Sequence, residues 1–425
     1  MEKYNVLVWS DSVTARTGFG NVARNILKHV YSTGLFEFDQ FAINFFGDFY
    51  NREEFPYQIV PAILKDSKDP YGSKAFLEFA QSGKYDVIFI INDTFSVSHV
   101  AEKLVQIQAN LAGNKRKHFS LVYYFPIDCH LQKQHMGMVE AADFPVTYTK
   151  FAMDECKKTL PPQVFEKLAY IYHGVDGNIY HKIPDRDVIK VFRRDILKVP
   201  EDKFLFVNVN RNSLRKDIAR TLLAYRAFRE KHQDNILYIH ADPIDNGLNL
   251  IQIAADLNFS EKCVNMPMGI YKNPAYTDSY INMVYNAADA FVSTTLGEGW
   301  SLTTTECMSS ECIYIGPNNT SLAEILGENS ERGFLVKSGD ILSNMTVVDS
   351  SGFRPQTNVE DLVEKMDLVY NMVKSNDPKI EEVKKNAKQF CIDNSWQNVC
   401  EKWKEVFIKA ALKSKQELIT KAKVM

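Results

Sequence analysis

The strongest constraint on how this chain can fold is a set of short, almost unbroken apolar runs. Each is followed by a polar or glycine-bearing loop and, in most cases, by a helical pattern. Phe204-Leu205-Phe206-Val207-Asn208-Val209-Asn210 is the clearest, and it leads straight into the charged loop Arg211-Asn212-Ser213-Leu214-Arg215-Lys216-Asp217. A strand without polar alternation is covered on both faces, as in a parallel sheet between two helix layers. The residues after the loop place Ile218, Leu222, Tyr225 and Phe228 on one helical face. Similar runs read as strands at Val6–Trp9, Phe41–Phe46, Val87–Ile91, Leu121–Phe125 and Val146–Tyr148 in the first half. In the second half they read at Asn235–His240, Ala290–Ser293, Cys312–Ile315 and Phe334–Val336. Strand and helix alternating in both halves predict an α/β protein with mostly parallel sheets covered by helices on both faces. A length of 425 residues also suits two domains better than one.

Composition narrows the function classes. A net charge of −3 gives no overall signal for nucleic acid or an anionic membrane, so nucleic acid enters only as a conceivable acceptor substrate. No apolar run reaches the length of a membrane span. Met1-Glu2-Lys3-Tyr4-Asn5 leads straight into a short strand, which predicts no signal peptide and a cytoplasmic setting. Its seven cysteines are scattered without zinc-ligand spacing and read as reduced, mostly buried thiols. We expect no metal site.

One stretch carries most of the chemistry. After the strand Ala290–Ser293 comes Thr294-Thr295-Leu296-Gly297-Glu298-Gly299-Trp300-Ser301-Leu302-Thr303-Thr304-Thr305-Glu306-Cys307-Met308. Two glycines flank Glu298, so the chain can turn there. A helix is predicted from about Leu302, which sets Glu306 two turns along it. The backbone N–H groups of Trp300, Ser301 and Leu302 are then helix N-terminal donors, and with the helix dipole they attract phosphate. Two carboxylates on either side can accept hydroxyl hydrogen bonds. That combination suits a nucleotide sugar.

Glu298, Glu306 and the Gly-aromatic-Ser-Leu that follows Glu298 resemble the signature of retaining glycosyltransferases of the GT-B fold, glycosyltransferase family 4, also called glycosyl transferases group 1. Tyr285–Val292 resembles that family's approach to the motif, and Ala169–Asp176 its hinge segment. The resemblance implies two Rossmann-like domains facing across a cleft: an acceptor-side domain over 1–180 and a nucleotide-sugar-binding domain over 188–395. It further implies a closing helix over 396–425 that crosses back onto the first domain and begins near Ser395-Trp396.

The resemblance also implies roles. Glu298 would touch the donor sugar and Glu306 the ribose, with Gly299, Trp300, Ser301 and Leu302 beside the phosphate. Three cations in six residues can clamp a diphosphate, and Arg211 and Lys216 match the family's phosphate-binding pair best. Asp217 stands where the family usually has glycine. Met268 and Gly269 fall where backbone packs on the nucleobase, and His173 faces the hinge. Either Asp128 or His130 corresponds to the functional histidine beyond the strand Leu121–Phe125. Thr17-Gly18-Phe19-Gly20 lacks the third glycine of a dinucleotide fingerprint. The resemblance makes Gly18, Phe19 and Gly20 secondary contacts to donor diphosphate and acceptor, with Arg16 nearby.

Other stretches read as scaffold. Asp185-Arg186-Asp187 follows no strand and reads as a solvated hinge rather than a metal–nucleotide site. Residues 337–357 read as a polar surface insertion. Asn358 can cap a helix with the stripe Leu362, Met366, Val369 and Val373.

The expected activity is transfer of a sugar, with retention of configuration and without metal or other cofactor. It runs from a nucleotide-diphosphate sugar to an acceptor hydroxyl on a glycan, lipid, protein, metabolite or modified DNA base. The alternatives are a sugar-nucleotide epimerase on the same fold and a non-catalytic nucleotide-sugar-binding protein.

Overall fold

The computed structural model describes residues 3–63, 68–114, 118–130, 133–260, 262–270, 273–339 and 352–423. The described residues form two compact units. The first takes those up to Ile127, those from 133 to Gly174, and those from Trp396 onward. The second takes Asp128–His130 and Val175–Ser395.

The sheet of the first unit contains β1 (Tyr4–Asp11), β2 (Phe36–Ile43), β3 (Gln58–Pro61), β4 (Val87–Ile91), β5 (Ser120–Phe125), β6 (Phe144–Thr147) and β7 (Ala169–Tyr170). Their order is β3-β2-β1-β4-β5-β6-β7, and every pairing among them is parallel. β4 and β5 are buried along their whole length, which their unbroken apolar sequences require. The helix Gly18–Tyr31 starts at Thr17, whose Oγ1 accepts from the Gly20 N–H at 3.0 Å. The last helix, Trp396–Lys423, lays Trp403 and Phe407 against Phe89 at ring separations of 5.3 and 5.0 Å.

The second unit repeats the plan. It contains β8 (Phe204–Val209), β9 (Asn235–His240), β10 (Val264–Asn265), β11 (Ala290–Val292), β12 (Ile313–Pro317) and β13 (Phe334–Val336), in the order β10-β9-β8-β11-β12-β13, again all parallel. The helix Val359–Lys374 is capped by Asn358, whose side chain accepts from the Asp361 N–H at 2.7 Å, and it buries Leu362, Met366 and Val369. In this unit the connection after β8 leads out one way to β9, and β11 lies on the other side of β8. Loops leaving the carboxyl ends of β8 and β11 therefore meet at the switch point of the sheet, where such folds collect ligands.

Three readings of the sequence change. β2 runs over Phe36–Ile43 rather than 41–46, because Phe36-Glu37-Phe38 already alternates in and out and Asn44 turns left-handed at φ 57°. Asp185-Arg186-Asp187 is not a bare hinge: Asp185 caps the helix Arg186–Val191, accepting from the N–H groups of Asp187 and Val188 at 3.1 and 3.3 Å. Residues 340–351 of the expected insertion lie outside the described residues, but the return segment is not superficial. Arg354 and Thr357 are 2% and 1% exposed, and Thr357 bridges to Ser338.

Candidate active site at the switch point of the second unit

The loop after β11 brings Glu298 to the switch point, and the loop after β8 brings Arg215 and Lys216 to the same carboxylate. Lys216 Nζ donates to Glu298 Oε1 at 2.6 Å, and Arg215 Nη1 stands 3.0 Å from Oε2. Thr295 Oγ1 donates to Oε1 at 2.7 Å, and the Glu298 N–H donates to Thr320 Oγ1 at 2.9 Å. Glu298 is 5% exposed. Burial alone would raise its pKa, but the two cations outweigh burial and hold it at about 2. It is therefore a carboxylate at any working pH.

The local backbone explains how the two cations arrive together. Leu214–Lys216 forms one 3₁₀ turn, which brings Arg215 and Lys216 to the end of a single loop. Asp217 then adopts φ 45° and ψ 43°, the left-handed conformation that glycine takes without strain, so an aspartate performs the turn expected of a glycine. Its carboxylate accepts from Arg220 Nε at 2.7 Å, and its carbonyl oxygen accepts from Thr294 Oγ1 at 2.8 Å.

Arg211 stands elsewhere. Its guanidinium makes a two-pronged pair with Asp245, at 2.8 and 3.3 Å, and its side chain is 58% exposed. The cation that joins Lys216 on Glu298 is Arg215, which sequence reasoning named only as part of the charged loop. The available signal was its adjacency to Lys216; helical or strand periodicity could not rank two arginines within one irregular loop.

Glu306 lies in the helix Leu302–Ser309, 8% exposed. Tyr285 Oη donates to its Oε2 at 3.1 Å, and Tyr180 stands close by. Burial pushes its pKa up to about 7, against the pull of the tyrosine hydroxyls. The two glutamates thus sit in opposite environments, one held by cations and one by phenol hydroxyls. Ser301, at φ 83°, forms the left-handed corner before the helix, and its Oγ lies 2.7 Å from Thr304 Oγ1. Trp300 is buried and stacks on Phe390, and its carbonyl oxygen accepts from Ser321 Oγ at 2.7 Å. Gly299 and Leu302 are half-buried beside them. Met268 is 60% exposed, and Gly269 turns at φ 66°.

Of the pair left open after β5, Asp128 joins the charged cluster. Its Oδ2 lies 3.5 Å from Arg215 Nε, and its Oδ1 accepts from Arg354 Nη2 at 2.9 Å. His130 is held through its backbone, which bridges to Phe353 with hydrogen bonds of 3.2 and 3.3 Å.

The remaining candidates belong to the first unit. His173 is buried among the rings of Tyr148, Tyr124 and Trp396, at 4.2, 5.5 and 6.1 Å, and burial lowers its pKa to about 3, so it is a neutral packing histidine there. Gly18 and Phe19 open the helix Gly18–Tyr31, and Arg16 is exposed. Gly20 has a steric reason: a Cβ there would lie 2.6 Å from the Ala15 carbonyl oxygen and 2.7 Å from that of Ser12.

Residues 190–344 match the family model Glycosyl transferases group 1. Arg215, Lys216, Glu298 and Glu306 all fall inside that stretch. No curated protein matches the chain. Among solved structures, a glycosyltransferase from Rickettsia africae ESF-5 is similar with a TM-score of 0.68 and 15% identity, over 96% of this chain and 99% of that one. Sucrose-phosphate synthase from Thermosynechococcus elongatus is similar with a TM-score of 0.68 and 14% identity, over 96% and 99%. Anabaena Alr3699/HepE in complex with UDP-glucose is similar with a TM-score of 0.66 and 13% identity, over 96% and 100%. Part of the second unit thus resembles glycosyl transferases group 1, and the two parallel-sheet, Rossmann-like domains match the fold of GT-B glycosyltransferase structures.

Among the described residues, no group of three or more His, Cys, Asp and Glu is arranged to hold a metal ion, and no helix is long and apolar enough to cross a membrane.

Proposed function

We propose that the protein is a retaining glycosyltransferase of family 4 type, moving a sugar from a nucleotide-diphosphate sugar to an acceptor hydroxyl. The observation that carries this reading is the convergence of Arg215 and Lys216 on the buried Glu298 at the switch point of the second unit. Lys216 and Arg215 set ammonium and guanidinium N–H donors beside Glu298. Those donors suit the diphosphate of the leaving group. Stabilising its developing charge is the main catalytic contribution, and it asks nothing of a metal or other cofactor. Glu298, kept ionised, accepts from the donor sugar's hydroxyls. Glu306, framed by Tyr285 and Tyr180, accepts from the ribose. Retention follows from attack on the same face, with the departing phosphate taking the acceptor's proton, so no protein nucleophile is assigned.

The test is a panel of UDP-, GDP- and ADP-sugars, read by thermal shift and by donor hydrolysis, followed by mass spectrometry of acceptor extracts. A nucleotide sugar that raises the Tm and is hydrolysed supports the proposal. If no member of the panel does either, the proposal falls.

A further inference from the structure

We infer that Arg354 is a positioning residue for the transfer reaction, acting through Asp128 to hold the Arg215 guanidinium against Glu298. This rests on the function proposed above. Arg354 comes from the stretch that the sequence presents as an irregular polar insertion, yet its side chain is only 3% exposed. An arginine cannot shed its charge, so a buried one must be matched by acceptors. Asp128 supplies two of them: its carbonyl oxygen accepts from Arg354 Nη1 at 2.6 Å, and Oδ1 accepts from Nη2 at 2.9 Å. The other carboxylate oxygen of Asp128 faces Arg215 Nε at 3.5 Å, while Arg215 Nη1 lies 3.0 Å from Glu298 Oε2.

Arg354, Asp128, Arg215, Glu298 and Lys216 therefore form an alternating row of three positive and two negative charges. Arg354 engages one side of Asp128. Without it, Asp128 loses the anchor that sets where its Oδ2 meets Arg215 Nε, and the guanidinium loses its alignment on Glu298. The backbone supports the same arrangement. His130 and Phe353 exchange N–H···O bonds, and a Cβ on Gly297 would lie 2.1 Å from the Asp128 carbonyl oxygen, so a glycine beside Glu298 lets Asp128 approach this closely. A second tie runs from the same segment. Arg220 donates to the Thr357 carbonyl oxygen at 3.4 Å and to Asp217 at 2.7 Å. Residues 354–357 are thus linked to the Arg215-Lys216-Asp217 turn at both ends, through Asp128 and through Arg220.

The test uses the full chain with Arg354→Met, Arg354→Lys and Asp128→Asn, assayed for UDP-glucose and GDP-mannose hydrolysis across pH and for UDP and GDP affinity by calorimetry. A positioning role predicts a 10- to 100-fold fall in kcat for Arg354→Met, a KM within threefold of wild type, and an acid limb of the pH profile moved to higher pH. Arg354→Lys recovers at least a third of the lost rate on a logarithmic scale. If Arg354→Met does not fold, Asp128→Asn cuts the same link from its other end and should show the same kcat loss. A wild-type kcat and an unmoved acid limb in the folded fraction of either variant overturn the inference. A readout that needs no substrate separates this from the proposed function: a double-mutant cycle of Arg354→Met and Glu298→Gln followed by Tm. Non-additive shifts support coupling through Arg215 even if no nucleotide sugar is turned over, and additive shifts refute it.

Discussion

Lys216 and Glu298 are 82 positions apart in the chain, yet Nζ and Oε1 meet at 2.6 Å with both side chains largely buried, 13% and 7% exposed. β8 and β11 are neighbours in the sheet, so the loops that leave their carboxyl ends are neighbours too. The pair is thus a consequence of strand order, and with Arg215 it makes one local field at the switch point.

The three cations of the β8 loop should separate by function. Lys216→Ala and Arg215→Ala are expected to lower donor hydrolysis by roughly one to three orders of magnitude, the range for loss of an electrostatic contact to the transition state. Arg211→Ala, which removes a partner of Asp245, should cost at most about tenfold. Steady-state rates of the three variants decide this, and an Arg211→Ala loss as large as that of Lys216→Ala would return Arg211 to the centre of the site.

Glu298 should contribute to stability in acid. Its folded pKa of about 2 lies below the ordinary glutamate value of about 4.3, so its contribution is present above pH ~4.3 and is lost as pH falls through about 2. Wild-type Tm should fall more steeply across that window than the Tm of Glu298→Gln. At pH 7 the variant, with Lys216 and Arg215 facing a neutral amide, should be less stable by about 3–5 kcal/mol, the usual cost of breaking a buried pair. Denaturant titrations from pH 2.5 to 7 measure both effects.

Glu306 should behave in the opposite sense. Its folded pKa of about 7 lies above the unfolded value, so its favourable contribution is present below pH ~4.3 and is lost as pH rises through about 7. Glu306→Gln should therefore gain stability relative to wild type between pH 6 and 8. Ribose hydroxyls bond best to the ionised carboxylate, so wild-type nucleotide affinity should rise through the same interval and that of Glu306→Gln should stay flat.

Nucleotide and donor affinities should also sort the two glutamates. Glu306→Gln is expected to weaken nucleotide diphosphate and intact donor alike, by a few-fold to about tenfold, since a charged hydrogen bond is worth about 1.5–3 kcal/mol against about 1 for a neutral one. Glu298→Gln should weaken the intact donor or its turnover and leave the free nucleotide nearly unchanged. Calorimetry with both ligands on both variants checks the assignment, and equal impairment of both ligands by Glu298→Gln would contradict it.

Chelation should leave the reaction untouched. On the proposed function Arg215 and Lys216 supply the positive charge on the diphosphate, so hydrolysis in excess EDTA should match that in magnesium. Loss of activity in EDTA, restored by magnesium or manganese, would contradict this.

Much of the architecture is legible in the residues because it is local. Unbroken runs such as Phe204–Val209 can only be strands covered on both faces, and Asn358 with Leu362, Met366 and Val369 announces a capped amphipathic helix. The two short strands β7 and β10 have two residues each, too few to carry a periodicity, and β2 was displaced by an alternating start. Glu298 and Glu306 were legible because their spacing lies within one strand–turn–helix unit. Their surroundings were not. Arg215 in place of Arg211 on Glu298, Asp128 and Arg354 beyond Arg215, and Tyr180 near Glu306 come from other parts of the chain, and Tyr285 from the helix before β11. Secondary structure follows from side chains within a few residues of one another. Charge pairing and burial depend on which strand ends are made adjacent by the order of the sheet. Two glutamates eight positions apart therefore have the same intrinsic chemistry in the sequence, and only their folded surroundings hold one at a pKa of about 2 and the other at about 7.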